Sequence, residues 1–166
     1  LGDVYKRQVF KRAKEANIGE VIVAAEDHEI VNDVKNNGGL AILTSAKHKT
    51  GTDRIYEAYQ KLNLDNIDFI MNLQGDEPAI NIKDIINLNQ MMIDHKAEIG
   101  TLAAKIKNKS DLRNENIVKV ITQNSLEDNP FSNAKTFLRK SKDVLNIYHH
   151  IGAYCYSCLL YTSPSP

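Results

Sequence analysis

Val21-Ile22-Val23-Ala24-Ala25 follows Glu20 with no polar residue to break it. A short β-branched run without polar alternation suits a strand covered on both faces, as the strands of a parallel sheet are. Parallel neighbours need a long crossover, usually a helix, and segments of helical period flank this run on both sides. Val9, Phe10, Ala13 and Ala16 recur at helical spacing over residues 9–16 until Asn17-Ile18-Gly19 closes them. After the strand, Asp27 is placed to cap a helix whose inner stripe is Ile30, Val31 and Val34 and whose stop is Asn36-Asn37-Gly38-Gly39. The same logic predicts strands at 40–43, 68–73, 99–106, 117–122 and 147–156, and helices at 53–62 and 82–95, with 126–142 mixed and polar. This alternation predicts an α/β fold with right-handed βαβ crossovers and a mainly parallel sheet.

A chain of 166 residues, 42% hydrophobic and 25% charged, buries roughly two thirds of its unfolded surface in one core. Lys+Arg and Asp+Glu both number 21, so net charge gives no reason to expect a nucleic-acid or anionic-membrane binder, and any anion site must be local. Cys155 and Cys158 form a Cys-x-x-Cys without a second ligand pair, weak ground for zinc. No disulfide framework is implied, which fits a reducing compartment. No apolar run is long enough to cross a bilayer and no leader opens the sequence, so a soluble, cytoplasmic protein is expected.

The two ends differ from the body. Residues 1–8 (LGDVYKRQ) and 158–166 (CLLYTSPSP) resemble translated sequencing-adapter read-through, which would make 9–157 the native text and the second cysteine foreign. The alternative is a genuine flexible tail, which Ser-Pro-Ser-Pro also fits.

Three stretches carry candidate chemistry. In Asn72-Leu73-Gln74-Gly75-Asp76-Glu77-Pro78, a buried strand hands over to a loop: Gly75 admits a close ligand, Asp76 and Glu77 offer hard oxygens, and Pro78 fixes the exit. The carboxyl end of a strand is where ligands bind in open α/β sheets. The plain alternative is an acidic turn capping the helix near Ile82. His48-Lys49-Thr50-Gly51-Thr52-Asp53-Arg54 lies between a strand and a helix, with Asp53 placed to cap. Exposed amides at a helix start, hydroxyls from Thr50 and Thr52 and the Arg54 guanidinium suit a phosphate or a polar base edge, and a plain capped helix is equally consistent. In His149-His150-Ile151-Gly152-Ala153-Tyr154-Cys155-Tyr156, strand alternation sets His150, Gly152, Tyr154 and Tyr156 on one face. That face can grip a polyhydroxylated acid, or be an aromatic cluster with a satisfied histidine.

The order EVIVAAEDHEI, NNGG, KHKTGTDR, NLQGDEP, NIVKV, HHIGAYCY resembles the 3-deoxy-manno-octulosonate (Kdo) cytidylyltransferase family over nearly all of 9–157. NLQGDEP and TGTDR are the most specific parts and separate it from the sialic-acid cytidylyltransferases. The resemblance implies a three-layer α/β sandwich of the nucleotide-diphospho-sugar transferase type. It also implies attack of the Kdo anomeric hydroxyl on the α-phosphorus of CTP with loss of pyrophosphate, for lipopolysaccharide biosynthesis. Asp76 then matches the Mg2+ ligand and Gln74 a residue between nucleotide and sugar, both catalytic. Thr50, Gly51, Thr52 and Arg54 match the nucleotide-side loop, and His150 and Tyr154 the sugar-binding pair. CTP and Kdo are the implied partners, with no nucleic acid, no membrane and a homodimer as the usual assembly.

The chain also departs from the family. The family's opening strand and basic Gly-containing triphosphate loop have no counterpart before Val9, and a later acidic motif would lie beyond Ser157. A family arginine falls on Asn133 without a gap or on Arg139 with one, and the usual Thr-Asp after the first strand reads Ala25-Glu26. A fragment inactive on its own is therefore expected. The alternatives are a sialic-acid type enzyme and a non-catalytic nucleotide-binding module.

Overall fold

Helix α1 (Gly2–Ala16) starts at Gly2 rather than at Val9, within the segment expected to be foreign. Lys and Arg are good helix formers, so local propensity carries the helix outward whatever the origin of that text. Lys6, Arg7 and Gln8 are exposed, and Arg7 donates to Asp33 at 3.0 Å. The computed structural model describes residues 2–63, 66–75, 80–142 and 144–158, with side chains from Lys6 onward. They fall into two compact units, one of Leu1–Gly100 with Ala153–Pro166 and one of Thr101–Gly152.

In the first unit, β1 (Ile22–Ala25), α2 (His28–Asn36) and β2 (Leu40–Leu43) form a βαβ turn whose strands pair in parallel from Ile22↔Leu40 to Ala25↔Leu43. Asp27 caps α2, accepting from the Glu29 amide at 2.8 Å. The helix ends where Gly38 takes φ +74°, a conformation glycine adopts without penalty. Ala25, Val31 and Ala41 are buried together, with Val23, Ile30, Val34 and Leu43 packed on them. Small residues on the strands let the helix approach closely.

Helix α3 (Gly51–Leu62) begins two residues before the expected Asp53, because Thr50 and not Asp53 is its cap. Strand β3 (Phe69–Leu73) and helix α4 (Ile82–His95) follow, the latter capped by Asn81, whose Oδ1 accepts from the Lys83 amide at 2.9 Å. Neither Asp76 nor Glu77 is needed as the cap of α4. Asn81→Ala should therefore cost about 1 kcal/mol and Asn81→Asp almost nothing, read as shifts in urea midpoint. Equal midpoints for Ala and wild type would contradict the cap.

Strand β4 (Ile99–Lys105) opens at a tight spot: a Cβ on Gly100 would lie 2.4 Å from Met92 Sδ and 3.1 Å from Leu88 Cδ1, on the buried face of α4. In the second unit a 3-10 turn (Lys109–Leu112) precedes β5 (Lys119–Thr122), β6 (Ala134–Leu138) and the first part of β7 (Ile147–Ser157). There β5 pairs antiparallel with β6 (Lys119↔Leu138, Val120↔Phe137) and with β7 (Lys119↔His149, Ile121↔Ile147). The last part of β7 belongs to the first unit, where it pairs antiparallel with β3 from Leu73↔Ala153 to Phe69↔Ser157.

The fold is mixed α/β, but the pairings with β7 depart from the expected mainly parallel pattern. The physical signal is alternation. Ala153, Cys155 and Ser157 are buried while Tyr154 and Tyr156 are only partly so, the one-sided burial that antiparallel strands tolerate and doubly covered parallel strands do not. Strand β6 was missed within the stretch 126–142 because Ala134-Lys135-Thr136-Phe137 are all exposed and form no apolar run.

Lys119 is fully buried, and its Nζ donates to three backbone carbonyls, Asn114 O at 2.6 Å, Arg139 O at 2.7 Å and Ile117 O at 2.8 Å. All three ammonium hydrogens thus have partners, the condition for burying such a group. Among the described residues no helix is long and apolar enough to cross a membrane.

Candidate functional site

Capping fixes the loop before α3. Thr50 Oγ1 accepts from the Asp53 amide at 3.2 Å and donates to Asp53 Oδ2 at 2.7 Å, a reciprocal arrangement that locks the first turn. Arg54, whose guanidinium suits a phosphate or a polar base edge, also has partners within the chain: Nη1 donates to Thr44 Oγ1 at 2.9 Å and Nη2 to the Glu26 carboxylate. Thr44 in turn donates its amide to Ala25 O at 2.8 Å. Arg54 thereby ties the start of α3 to the carboxyl ends of β1 and β2, and Glu26, at the departure from the family pattern, supplies the charge that receives it.

The start of α3 also meets β3 and β7. A Cβ on Gly51 would lie 3.6 Å from Asn72 Nδ2, so the helix approaches the buried Asn72 closely. Asn72 pairs with Tyr154 across the strands, and directly opposed residues of an antiparallel pair share a face. Tyr154 stacks on Tyr156 with ring centroids 6.1 Å apart at 16°. The Tyr156 hydroxyl lies 3.2 Å from Thr52 Oγ1. Burial, then the neighbouring Tyr156, raises the Tyr154 pKa, so the phenol keeps its proton near neutral pH. Thr50, Gly51, Thr52, Arg54 and Tyr154 are thus brought together with the carboxyl half of β3, and half-buried Gln74 is the next residue along that chain. Asp76, with Glu77 and Pro78, lies outside the described residues.

His150 belongs to the second unit. Its Nε2 is 2.9 Å from Thr101 Oγ1, and its ring meets Phe137 edge-on at 5.1 Å and 81°. Burial, helped by His149, lowers its pKa, so the imidazole is neutral at pH 7 and acts as a hydrogen-bonding group rather than a charge. Of the two positions for the family arginine, Asn133 accepts the Gln123 amide through its carbonyl at 2.8 Å, while Arg139 donates from Nη1 to Glu115 O at 3.1 Å.

Cys155 is fully buried and its thiol is pushed up to about 11 by burial and by Cys158. Cys158 is buried too, with its amide donating to Asp68 O at 2.9 Å. Neither is a thiolate at neutral pH, the form a metal takes. Leu159 and Leu160 lie outside the described residues. Among the described residues no cluster of three or more His, Cys, Asp or Glu could hold a metal ion.

The sequence profile of the family described as "Cytidylyltransferase" matches residues 7–157. The chain belongs to the cytidylyltransferase family. Among cytidylyltransferases it is 41% identical over 164 residues to the 3-deoxy-manno-octulosonate cytidylyltransferase of Thermodesulfovibrio yellowstonii, covering 91% of this chain and 64% of the relative. It is 38% identical over 149 residues to the enzyme of that name from Fusobacterium nucleatum, covering 89% and 60%. The chain thus spans less than two thirds of the length of these curated relatives. A solved structure of CMP:2-keto-3-deoxy-manno-octonic acid synthetase complexed with CTP superposes with a TM-score of 0.79 at 29% identity, over 97% of this chain and 68% of that one.

Proposed function

We propose that this chain is the larger part, over residues 9–157, of a Kdo cytidylyltransferase, which joins CMP from CTP to Kdo with release of pyrophosphate. The observation that carries the reading is the convergence of the Thr50–Arg54 loop, the Asn72 end of β3 and Tyr154 within one unit. Convergence of three separated motifs is what a site requires and what three unrelated turns have no reason to do. The names of the relatives supply the substrate pair.

In this reading the amides at the start of α3 receive a CTP phosphate or base edge, since helix N-termini favour anions. Gln74 lies between nucleotide and sugar. Neutral His150 and protonated Tyr154 are each hydrogen-bonding groups of the kind that sugar hydroxyls take. Arg139, the residue after the strand that carries Phe137 to His150, is the better match for the family arginine.

The donor set at the end of β3, an Asp and a Glu beyond a Gln-Gly turn, is of the hard-oxygen kind that Mg2+ takes, and Asp76 would hold the ion. Bound there, Mg2+ would neutralise charge developing on the departing pyrophosphate. The fold in this reading is the three-layer nucleotide-diphospho-sugar transferase sandwich. The intact protein would be a cytoplasmic homodimer serving lipopolysaccharide biosynthesis, and residues 1–8 and 158–166 extensions foreign to it.

Pyrophosphate release by the intact protein, the chain joined to the remainder its relatives carry, tests the reading. CTP with Kdo should give turnover and CTP with sialic acid little. The reverse preference would favour the sialic-acid type, and no turnover with either sugar a nucleotide-binding module.

A further inference from the structure

One face of α3 carries Arg54, Glu57 and Lys61, spaced as neighbours along a helix stripe, and all three reach back to the end of β2 and the loop after it. Lys61 donates to Leu43 O at 2.8 Å, and Arg54 to Thr44 Oγ1 at 2.9 Å. Glu57 lies between them. Its Oε2 accepts the Ser45 amide at 2.8 Å and a hydrogen bond from His48 Nε2, while Oε1 pairs with Lys61 Nζ at 2.7 Å.

Both the Glu57 and the His48 side chains are about one fifth exposed, at 21% and 22%. The carboxylate is therefore screened from bulk water without being cut off from it. The bond from Lys61, then those from Ser45 and His48, hold its pKa down to about 2, so it is anionic throughout the working range. Since a carboxylate oxygen only accepts, His48 Nε2 carries the proton and the ring has a set orientation.

We infer that Glu57 is a positioning residue for the nucleotide-side loop, holding residues 45–50 so that Thr50 and Gly51 meet the ligand in one conformation. Glu57 touches no reacting atom. It fixes the loop at the Ser45 amide and at the His48 ring, five and two residues before the cap that begins α3, and a preorganised loop costs a ligand less ordering on binding. This inference rests on the nucleotide reading of the 50–54 loop.

Two variants separate the acceptor from the bulk it fills. Glu57→Leu keeps size and helix propensity but accepts nothing, whereas Glu57→Gln keeps one carbonyl oxygen for Ser45 and His48. On this chain, amide exchange at Ser45 followed by NMR should speed up by about tenfold or more in the Leu variant, the effect of losing a bond to a charged group. In the Gln variant it should stay near wild type. The dissociation constant for CTP, measured by calorimetry on the intact protein carrying the same substitutions, should rise by about tenfold for Leu and much less for Gln.

Unchanged Ser45 exchange in Glu57→Leu would overturn the hold on the loop. Faster exchange with unchanged CTP affinity would overturn its link to the nucleotide. If the wild-type intact protein binds no CTP, the nucleotide reading of the loop falls, and the exchange measurement still decides whether Glu57 orders it.

Discussion

In the intact protein, Asp76→Asn is expected to lower CTP-dependent transfer to Kdo by orders of magnitude while leaving the thermal midpoint where it was. The substitution keeps size and hydrogen bonding and removes only the anionic charge that a hard divalent cation needs. The competing role for an acidic residue here was to cap the next helix, and Asn81 fills that role through its bond to the Lys83 amide. Asn also caps about as well as Asp, so a capping residue would tolerate the change. Pyrophosphate release measured beside a melt separates the two. Near-wild-type turnover in Asp76→Asn would mean that the end of β3 is a turn and not a metal site.

The largest stability effect is expected at Lys119. Lys119→Met keeps the length and apolar stem but leaves the carbonyls of Asn114, Ile117 and Arg139 without the donor that now joins them. Stranding buried acceptors in this way should cost about 3 to 5 kcal/mol. In a chain of this size that is a fall of about 10 °C in melting temperature. Lys119→Arg should not rescue it, because a planar fork cannot reach three carbonyls arranged around a point donor. A loss of under about 1 kcal/mol in Lys119→Met would show that water replaces the ammonium, and that the three segments do not depend on it.

Much of this architecture was legible because helices and buried strands have different periods. Leu40–Leu43 and Ile82–His95 fall where their apolar spacing puts them, and Asp27 caps the helix it precedes. The strand directions were not legible in the same way. A run such as Ile147–Ser157 reads as a strand in either direction, and only the alternation of buried Ala153, Cys155 and Ser157 with half-exposed Tyr154 and Tyr156 marks the antiparallel case. The polar edge strand Ala134–Leu138 gave no apolar signal at all.

The candidate site divides similarly. Gly51, Thr52 and Tyr154 could be picked out as residue types suited to a ligand, and they do come together. What could not be read was which polar groups are spent on one another. Arg54 is tied to Glu26 and Thr44, and Glu57 to Ser45, His48 and Lys61, through contacts between segments whose proximity exists only once β1, β2 and α3 are packed. Glu57 did carry a faint signal, since Arg54, Glu57 and Lys61 share one helix face beside the loop. Lys119 carried none, because a lysine within a β-branched run looks like an ordinary surface position.

The most direct measurement is a map of CTP-induced backbone chemical-shift changes on the intact protein in the presence of Mg2+. The largest changes are expected at Gly51 and Thr52, at Gln74 beyond β3, and at Tyr154 on β7, with the outer face of α4 silent. Shifts confined to other surfaces, with Gly51, Gln74 and Tyr154 unmoved under saturating CTP, would contradict a nucleotide site built where the start of α3 meets β3 and β7.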